Sequence, residues 1–256
     1  MKFKLAIIFF IIIILTELII VCCFGSSWLW LLLPVPLFLA AITYGSAVIQ
    51  ANFFMYSHCS APTLTKEISL TFDDGPHQDF TPKILNLLLE FKVSATFFVI
   101  GKHCVGNSSL LQKIHAAGHV LGNHSYSHSP LIDLKNSNAL KRELLLTSDS
   151  IFEAIGKRPK LFRPPYGVTT PALSKASKEL DYTAIGWSIR SMDTTNDNEE
   201  KIVNRVLKSI KPGAIILLHD SSEKTVNVLK QILIFASNNN YKIVGLKKLL
   251  AIQTYH

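Results

Sequence analysis

Thr71-Phe72-Asp73-Asp74-Gly75 sets two carboxylates side by side at the end of the apolar run Ile68–Phe72, with Gly75-Pro76 turning the chain behind them. A β-strand alternates its faces, but at its end the geometry loosens and both acids can reach one cleft. Like charges held that close are costly unless a cation lies between them or their protonation states differ. Taken alone, such a turn is most often a solvated loop. His124 and His128 are four apart, so one helical turn, or a tight loop imitating one, lets both imidazoles meet a single ion. The chain has nine histidines, so that spacing alone also arises by chance. With an aspartate from another strand end, the set becomes two His and one carboxylate, which leaves metal positions open for water and substrate.

Placing these groups requires a repeated scaffold. From residue 66 onward, β-like runs alternate with segments of helical periodicity: Ile68–Phe72 then Phe80–Phe91, Ala95–Ile100 then Leu110–Ala117, His119–Gly122 then Asn138–Ile155. Lys160–Phe162 precedes Pro171–Leu180, Tyr182–Trp187 precedes Glu199–Ile210, and Ala214–Leu218 precedes Lys224–Ser237 and a last run at Tyr241–Gly245. The pattern predicts an α/β fold of about seven β–α repeats around a parallel sheet, open or closed into a distorted (β/α) barrel. Five of the runs deliver ionisable residues just past their carboxyl ends: Asp73-Asp74, His124 and His128, Arg163, Arg190 with Asp193, and His219-Asp220. In a barrel those ends share one face, where active sites are built. Scattered surface charges would not keep this phase.

The front of the chain is of another kind. Apolar runs at about 5–23 and 28–49 are each long enough to cross a hydrocarbon core of roughly 30 Å, and they raise the mean hydropathy of the 256 residues to +0.29. A secretory signal competes for the first run, but its length and the second run following at once favour a membrane anchor. The expected organisation is an anchor over 1–51, a linker over 52–65 and a catalytic domain over 66–256. Lys2 and Lys4 argue for a cytoplasmic N-terminus, which leaves orientation open; an extracytoplasmic catalytic domain is the expectation. A net charge of +8 without a basic stripe suits anionic lipids or acidic polymers and argues against nucleic acid. The spacing of Cys22, Cys23, Cys59 and Cys104 is not that of a zinc knuckle, and a Cys59–Cys104 disulfide is left open.

Thr71–Gly75, His124-Ser-Tyr-Ser-His128, Arg163-Pro-Pro-Tyr-Gly167, Trp187 with Asp193, and Leu217-Leu-His219 resemble, in order, the five motifs of the polysaccharide deacetylases. That family is the NodB-homology domain of carbohydrate esterase family 4, and the resemblance covers roughly residues 66–250. It implies that Asp74, His124 and His128 bind a divalent metal, with zinc first and cobalt or another ion as substitutes. It implies that Asp73 is the general base toward a water on that metal, held ionised and oriented by Arg163. The backbone N–H of Tyr166 would stabilise the oxyanion and Leu217 would line the pocket for the acetyl methyl. His219 would be the general acid, oriented by Asp193. One departure is Thr194, where the family often has Trp directly after the fourth-motif Asp. Trp187 is expected to pack rather than stack on sugar, and His77, His103, His115 and His119 are expected to be surface or packing residues.

The function implied is metal-dependent removal of N-acetyl groups from an N-acetylglucosamine-containing glycan: peptidoglycan, a chitin-like oligomer or an exopolysaccharide. Deacylation of a lipid-linked sugar, or O-acetyl ester hydrolysis, would use the same site. A non-haem iron oxygenase could share the two-His, one-carboxylate set but does not need Asp73 and His219. An inactive glycan-binding membrane protein would not need all of these residues together. The expected partners are an acetylated glycan and a membrane; nothing in the sequence sets the oligomeric state.

Overall fold

The computed structural model describes residues 2–256. Two apolar helices come first, α1 (Lys2–Phe24) and α2 (Pro34–Ala47), joined through a 3-10 turn at Trp28–Leu32. Eight strands follow: β1 (Glu67–Asp73), β2 (Thr96–Val99), β3 (Val120–Asn123), β4 (Leu161–Phe162), β5 (Thr183–Ala184), β6 (Ile189–Arg190), β7 (Ile215–His219) and β8 (Lys242–Ile243). Between them run α3 (Phe80–Glu90), the single turn α4 (Gly101–Cys104), α5 (Ser108–Ala116), α6 (Ser137–Ile155), α7 (Pro171–Glu179), α8 (Glu199–Ser209), α9 (Glu223–Asn238) and α10 (Leu246–Leu250). The sheet order is β5-β4-β3-β2-β1-β7-β6, with β8 pairing the start of β1, and every strand pair is parallel. This is a curled α/β half-barrel, as the alternation of runs predicts.

The helices begin and end where local chemistry satisfies their free backbone groups. The Asn136 side chain accepts from the Ala139 N–H to start α6, and Gly156, at φ 68°, ends it in the left-handed region. Thr170, Asn198 and Ser222 cap α7, α8 and α9 in the same way. β1 shows how the sheet sorts its two faces. Ile68, Leu70 and Phe72 pack outward with Ile84, Leu88, Leu111, Leu229 and Ile232 in the main core. Residues two apart share the other face, so Thr71 and Asp73 point inward, where Arg163 meets both.

The expected strand Tyr182–Trp187 is not continuous. Its ladder to β4 covers only Thr183–Ala184, and a separate strand appears at Ile189–Arg190. Between them the carbonyls of Ile185 and Gly186 accept from the Arg163 guanidinium, so they are lost to strand pairing. β5 and β6 leave a gap in the sheet that residues 58–61 fill. His58 N–H donates to Ala184 and Gly186 N–H to His58, each at 2.9 Å, while Ala61 N–H donates to Gly213 at 2.8 Å. His58 lies parallel to Ile185 and Ser60 antiparallel to Ala214.

α1 and α2 form a hairpin in which Phe10 stacks on Phe38 at 4.3 Å. Its two ends meet beside the barrel, where Phe3 N–H donates to the Phe53 carbonyl. Leu5, Phe9, Ile12, Leu37 and Leu39 lie exposed on its outside. The segments Lys2–Phe24 and Trp28–Ala47 are long and apolar enough to cross a membrane. Cys59 and Cys104 are both free thiols.

Candidate active site

Sheet register brings the site together. β1 and β7 run in parallel with Asp73 opposite His219 and Thr71 opposite Leu217. On the other side of β1, Val99 of β2 pairs with Asn123 of β3, and Asn123 pairs with Phe162 of β4. His124 and Arg163 therefore emerge from neighbouring strand ends on the same rim. All nine residues expected at the site converge there: Asp73, Asp74, His124, His128, Arg163, Tyr166, Asp193, Leu217 and His219.

Asp74 Oδ1 lies 3.6 Å from His124 Nε2 and 3.5 Å from His128 Nε2, and the three ligand atoms fall within 4.8 Å of one another. The His124 Nδ1–H donates to the Arg163 carbonyl at 2.8 Å, which turns the lone pair of Nε2 toward Asp74. Burial pushes His124 down to about 3, against the pull of Asp74, and burial also lowers His128. Both imidazoles are thus neutral, the form that ligates a metal. Asp74 Oδ1 is itself buried with no hydrogen-bond partner. A carboxylate oxygen held that way needs a cation, and the donor set fits a divalent ion of the zinc type.

Asp73 has a different neighbour. Arg163, wholly buried, donates from Nη1 to Asp73 Oδ1 at 2.7 Å and to Thr71 Oγ1 at 2.8 Å. The rest of its fork is used by the carbonyls of Ile185 and Gly186, and its plane lies 4.3 Å from the Phe98 ring. Burial pushes the Asp73 carboxyl up, while Arg163 pulls it back toward the ionised form. The net direction is upward, which makes the carboxylate more basic, while the 2.7 Å ion pair with Arg163 favours its charged form.

Across the cleft, His219 Nδ1–H donates to Asp193 Oδ1 at 2.7 Å. Asp193 also accepts from the His219 N–H, Thr225 Oγ1 and Ser191 Oγ. Burial alone would raise Asp193; the bond and charge of His219, with the two hydroxyls, outweigh it and hold the carboxyl low. Burial likewise opposes charge on His219, yet Asp193, backed by Asp73 and Asp74, pushes it up to about 9. The imidazolium is a proton donor at neutral pH.

The aim of these side chains rests on unusual backbone. Asp74 (φ 75°), Ser125 (φ 64°), His128 (φ 46°) and Tyr166 (φ 57°) all occupy the left-handed region. Each such residue costs on the order of 1–3 kcal/mol, which surrounding contacts must offset. Tyr166 packs its ring 4.5 Å from His128 and donates its hydroxyl to the His128 carbonyl. Trp187 is buried against Arg163 and Leu217, a packing residue as expected, while Arg190 and Thr194 are exposed.

Three contributors escaped the sequence reading. Glu143 of α6 accepts from the N–H groups of Tyr126 and Ser127 and from Ser127 Oγ, and so holds the loop that carries both metal-set histidines. His103, expected to be surface or packing, donates through Nδ1 to the Asp74 carbonyl at 2.8 Å. Asp220 is wholly enclosed, accepts from Thr81 Oγ1, and is pushed up to about 7 by burial, with the charge of Asp74 adding to it. A Cβ on Gly75 would come within 2.2 Å of the Asp220 carboxylate, so the turn behind the two acids requires glycine. Glu143 and His103 lie far from the motifs in sequence, and only Asp220 carried a signal, as the acid beside His219 past a strand end.

Comparison with known proteins identifies the family. The family model for polysaccharide deacetylase matches residues 60–185. A peptidoglycan-N-acetylglucosamine deacetylase of Bacillus cereus is 38% identical over 201 residues, covering 76% of this chain and 93% of that protein. A chitooligosaccharide deacetylase of Rhizobium leguminosarum bv. phaseoli is 42% identical over 153 residues, covering 59% of this chain and 66% of that protein. A crystal structure of a peptidoglycan N-acetylglucosamine deacetylase superposes with a TM-score of 0.73 at 31% identity, covering 77% of this chain and 94% of the other. The chain belongs to the polysaccharide deacetylases of carbohydrate esterase family 4, hydrolases that cleave the N-acetyl amide bonds of glycans.

Proposed function

We propose that this chain is a metal-dependent de-N-acetylase of an N-acetylglucosamine-containing cell-wall glycan, with peptidoglycan as the substrate. The observation that carries the reading is the division of labour across one cleft. A neutral His124–His128 pair with the orphaned Asp74 oxygen shares one rim with a buried Asp73–Arg163 pair and a charged His219–Asp193 pair. The glycan class is supported by the names of the related proteins from Bacillus cereus.

Asp74, His124 and His128 would hold a divalent ion, with zinc suited to two imidazoles and one carboxylate. Bound there, the ion supplies Lewis acidity toward water and toward the acyl carbonyl. Asp73 takes the proton of the attacking water, and Arg163 keeps Asp73 ionised and aimed. The Tyr166 N–H faces the oxygen that gains charge, and Leu217 accommodates the acyl methyl. His219 protonates the departing nitrogen, so one water and one amide become acetate and a free amine. A non-haem iron oxygenase makes no use of this acid–base pair.

The exposed apolar hairpin would anchor the enzyme in the membrane, since both helices are long and apolar enough to span one and large contiguous apolar surfaces are rare on soluble proteins. The catalytic domain would face the extracytoplasmic side, where peptidoglycan lies; full protection from added protease in intact cells would overturn this placement. For the activity, the zinc-loaded full chain in detergent is expected to release acetate from N-acetylated glycan fragments. Release of nothing from peptidoglycan, chitin and acetyl-xylan fragments alike would overturn the reading.

A further inference from the structure

Ile49 stands two residues past the end of α2, in the part of the chain that composition assigns to the anchor. It is nonetheless 2% exposed, in one apolar cluster with Trp187 and Leu217 and with Cys59 at its edge. Sheet register gives this cluster its meaning. Asp73 and His219 pair across β1 and β7, and the inward-facing residues one pleat below them are Thr71 and Leu217. Leu217 is thus the apolar floor beneath the acid–base pair, and Ile49 joins its cluster, together with Trp187, from the side of the hairpin.

The placement of Ile49 is locked from both directions. Gln50 Nε2 donates to the Trp187 carbonyl at 2.9 Å. One turn earlier, Ser46 Oγ donates to the Thr169 carbonyl at 2.8 Å, Thr169 N–H donates to the Ser46 carbonyl at 3.0 Å, and Thr169 Oγ1 donates to the Gly45 carbonyl at 3.2 Å. Thr169 lies three residues beyond Tyr166. A Cβ on Gly186 would come within 3.2 Å of Ile49 Cδ1, so the barrel wall leaves room for this side chain and no more.

We infer that Ile49 is a specificity-determining residue: with Leu217 and Trp187 it closes the acyl end of the site and sets how large an acyl group is admitted. The membrane hairpin then supplies a wall of the pocket as well as an anchor. The inference rests on the deacetylase reading with Leu217 at the acyl end, and its test separates the two.

The full chain in detergent or nanodiscs is assayed on chitotetraose carrying N-formyl, N-acetyl, N-propionyl or N-butyryl groups. Ile49→Ala is expected to raise the propionyl-to-acetyl ratio of kcat/KM by about tenfold or more, the range one methylene commands in an apolar pocket. Ile49→Phe is expected to move the ratio the other way and favour formyl, and Ile49→Val to stay near wild type. If Ile49→Ala fails to fold, Ile49→Phe alone carries the reading, and a wild-type profile in it overturns the inference. A wild-type profile in every folded variant, with acetate still released, overturns this inference and leaves the deacetylase reading standing. No release of any acyl group by the wild-type enzyme, from these oligomers and from peptidoglycan fragments alike, overturns the deacetylase reading instead.

Discussion

A carboxylate that takes a proton from water must be ionised before the step and basic during it. At Asp73 burial raises the proton affinity, and a wholly buried guanidinium at 2.7 Å opposes that shift and favours the charged form. Asp73→Asn keeps the shape but removes the base, so kcat is expected to fall by about 10²–10⁴-fold. Zinc content, read by metal analysis, should stay at one per chain; loss of the metal would reassign Asp73 as a ligand. His219 is raised from its ordinary 6.5 to about 9. Stability from its charge is therefore fully present below about pH 6.5 and disappears as the pH rises through about 9. The same titration should form the alkaline limb of kcat/KM, and Asp193→Asn should move that limb down by at least one pH unit. A limb that stays in place in the variant would mean another group supplies the proton.

At the scale of elements, the strands aim the ligands and the helices behind them hold the aim. The loop from His124 to His128 carries two left-handed residues, and its backbone N–H groups are gathered by Glu143 on α6. Lys135 pairs with that same carboxylate. Glu143→Gln keeps the volume but weakens the acceptor, and zinc affinity in a chelator competition is expected to drop about 10–100-fold, as for lost outer partners of metal ligands. Unchanged affinity in a folded variant would show that the loop needs no such brace. The turn after β1 offers a second check. Gly75→Ala drives a methyl into the Asp220 carboxylate, and a loss of about 1–3 kcal/mol is expected in urea unfolding.

For the whole molecule, the hairpin and the barrel share packing. Removing residues 2–51 takes Ile49 out of its cluster and Gln50 from the Trp187 carbonyl. The remaining domain is expected to lose about 2–5 kcal/mol, as for deleting a large buried aliphatic side chain. Thermal unfolding in mild detergent, compared with removal of residues 2–24 alone, checks this; equal stability of the two truncations would show a passive tether. The stretch over 52–65, read from composition as a linker, bonds to β5 and to the turn before β7 and fills the gap in the sheet. A cut in the chain at residue 51 is therefore a cut into folded structure.

The alternation of runs, the phase of ionisable residues at strand ends and the five motifs together determined the parallel α/β sheet and the family, and they named the candidates for the site. These are local signals: strand and helix periodicity act over a few residues, and chemistry concentrates where each strand stops. Tertiary structure alone decided what depends on residues far apart in the chain. It put Glu143 under the histidine loop and His103 on the Asp74 carbonyl, split the strand after Thr183–Ala184 by giving its carbonyls to Arg163, and drew Ile49 from the apolar hairpin into one cluster with Trp187 and Leu217. The physical reason is that burial and hydrogen-bond satisfaction are met by whichever group the fold brings close, whatever its distance along the chain.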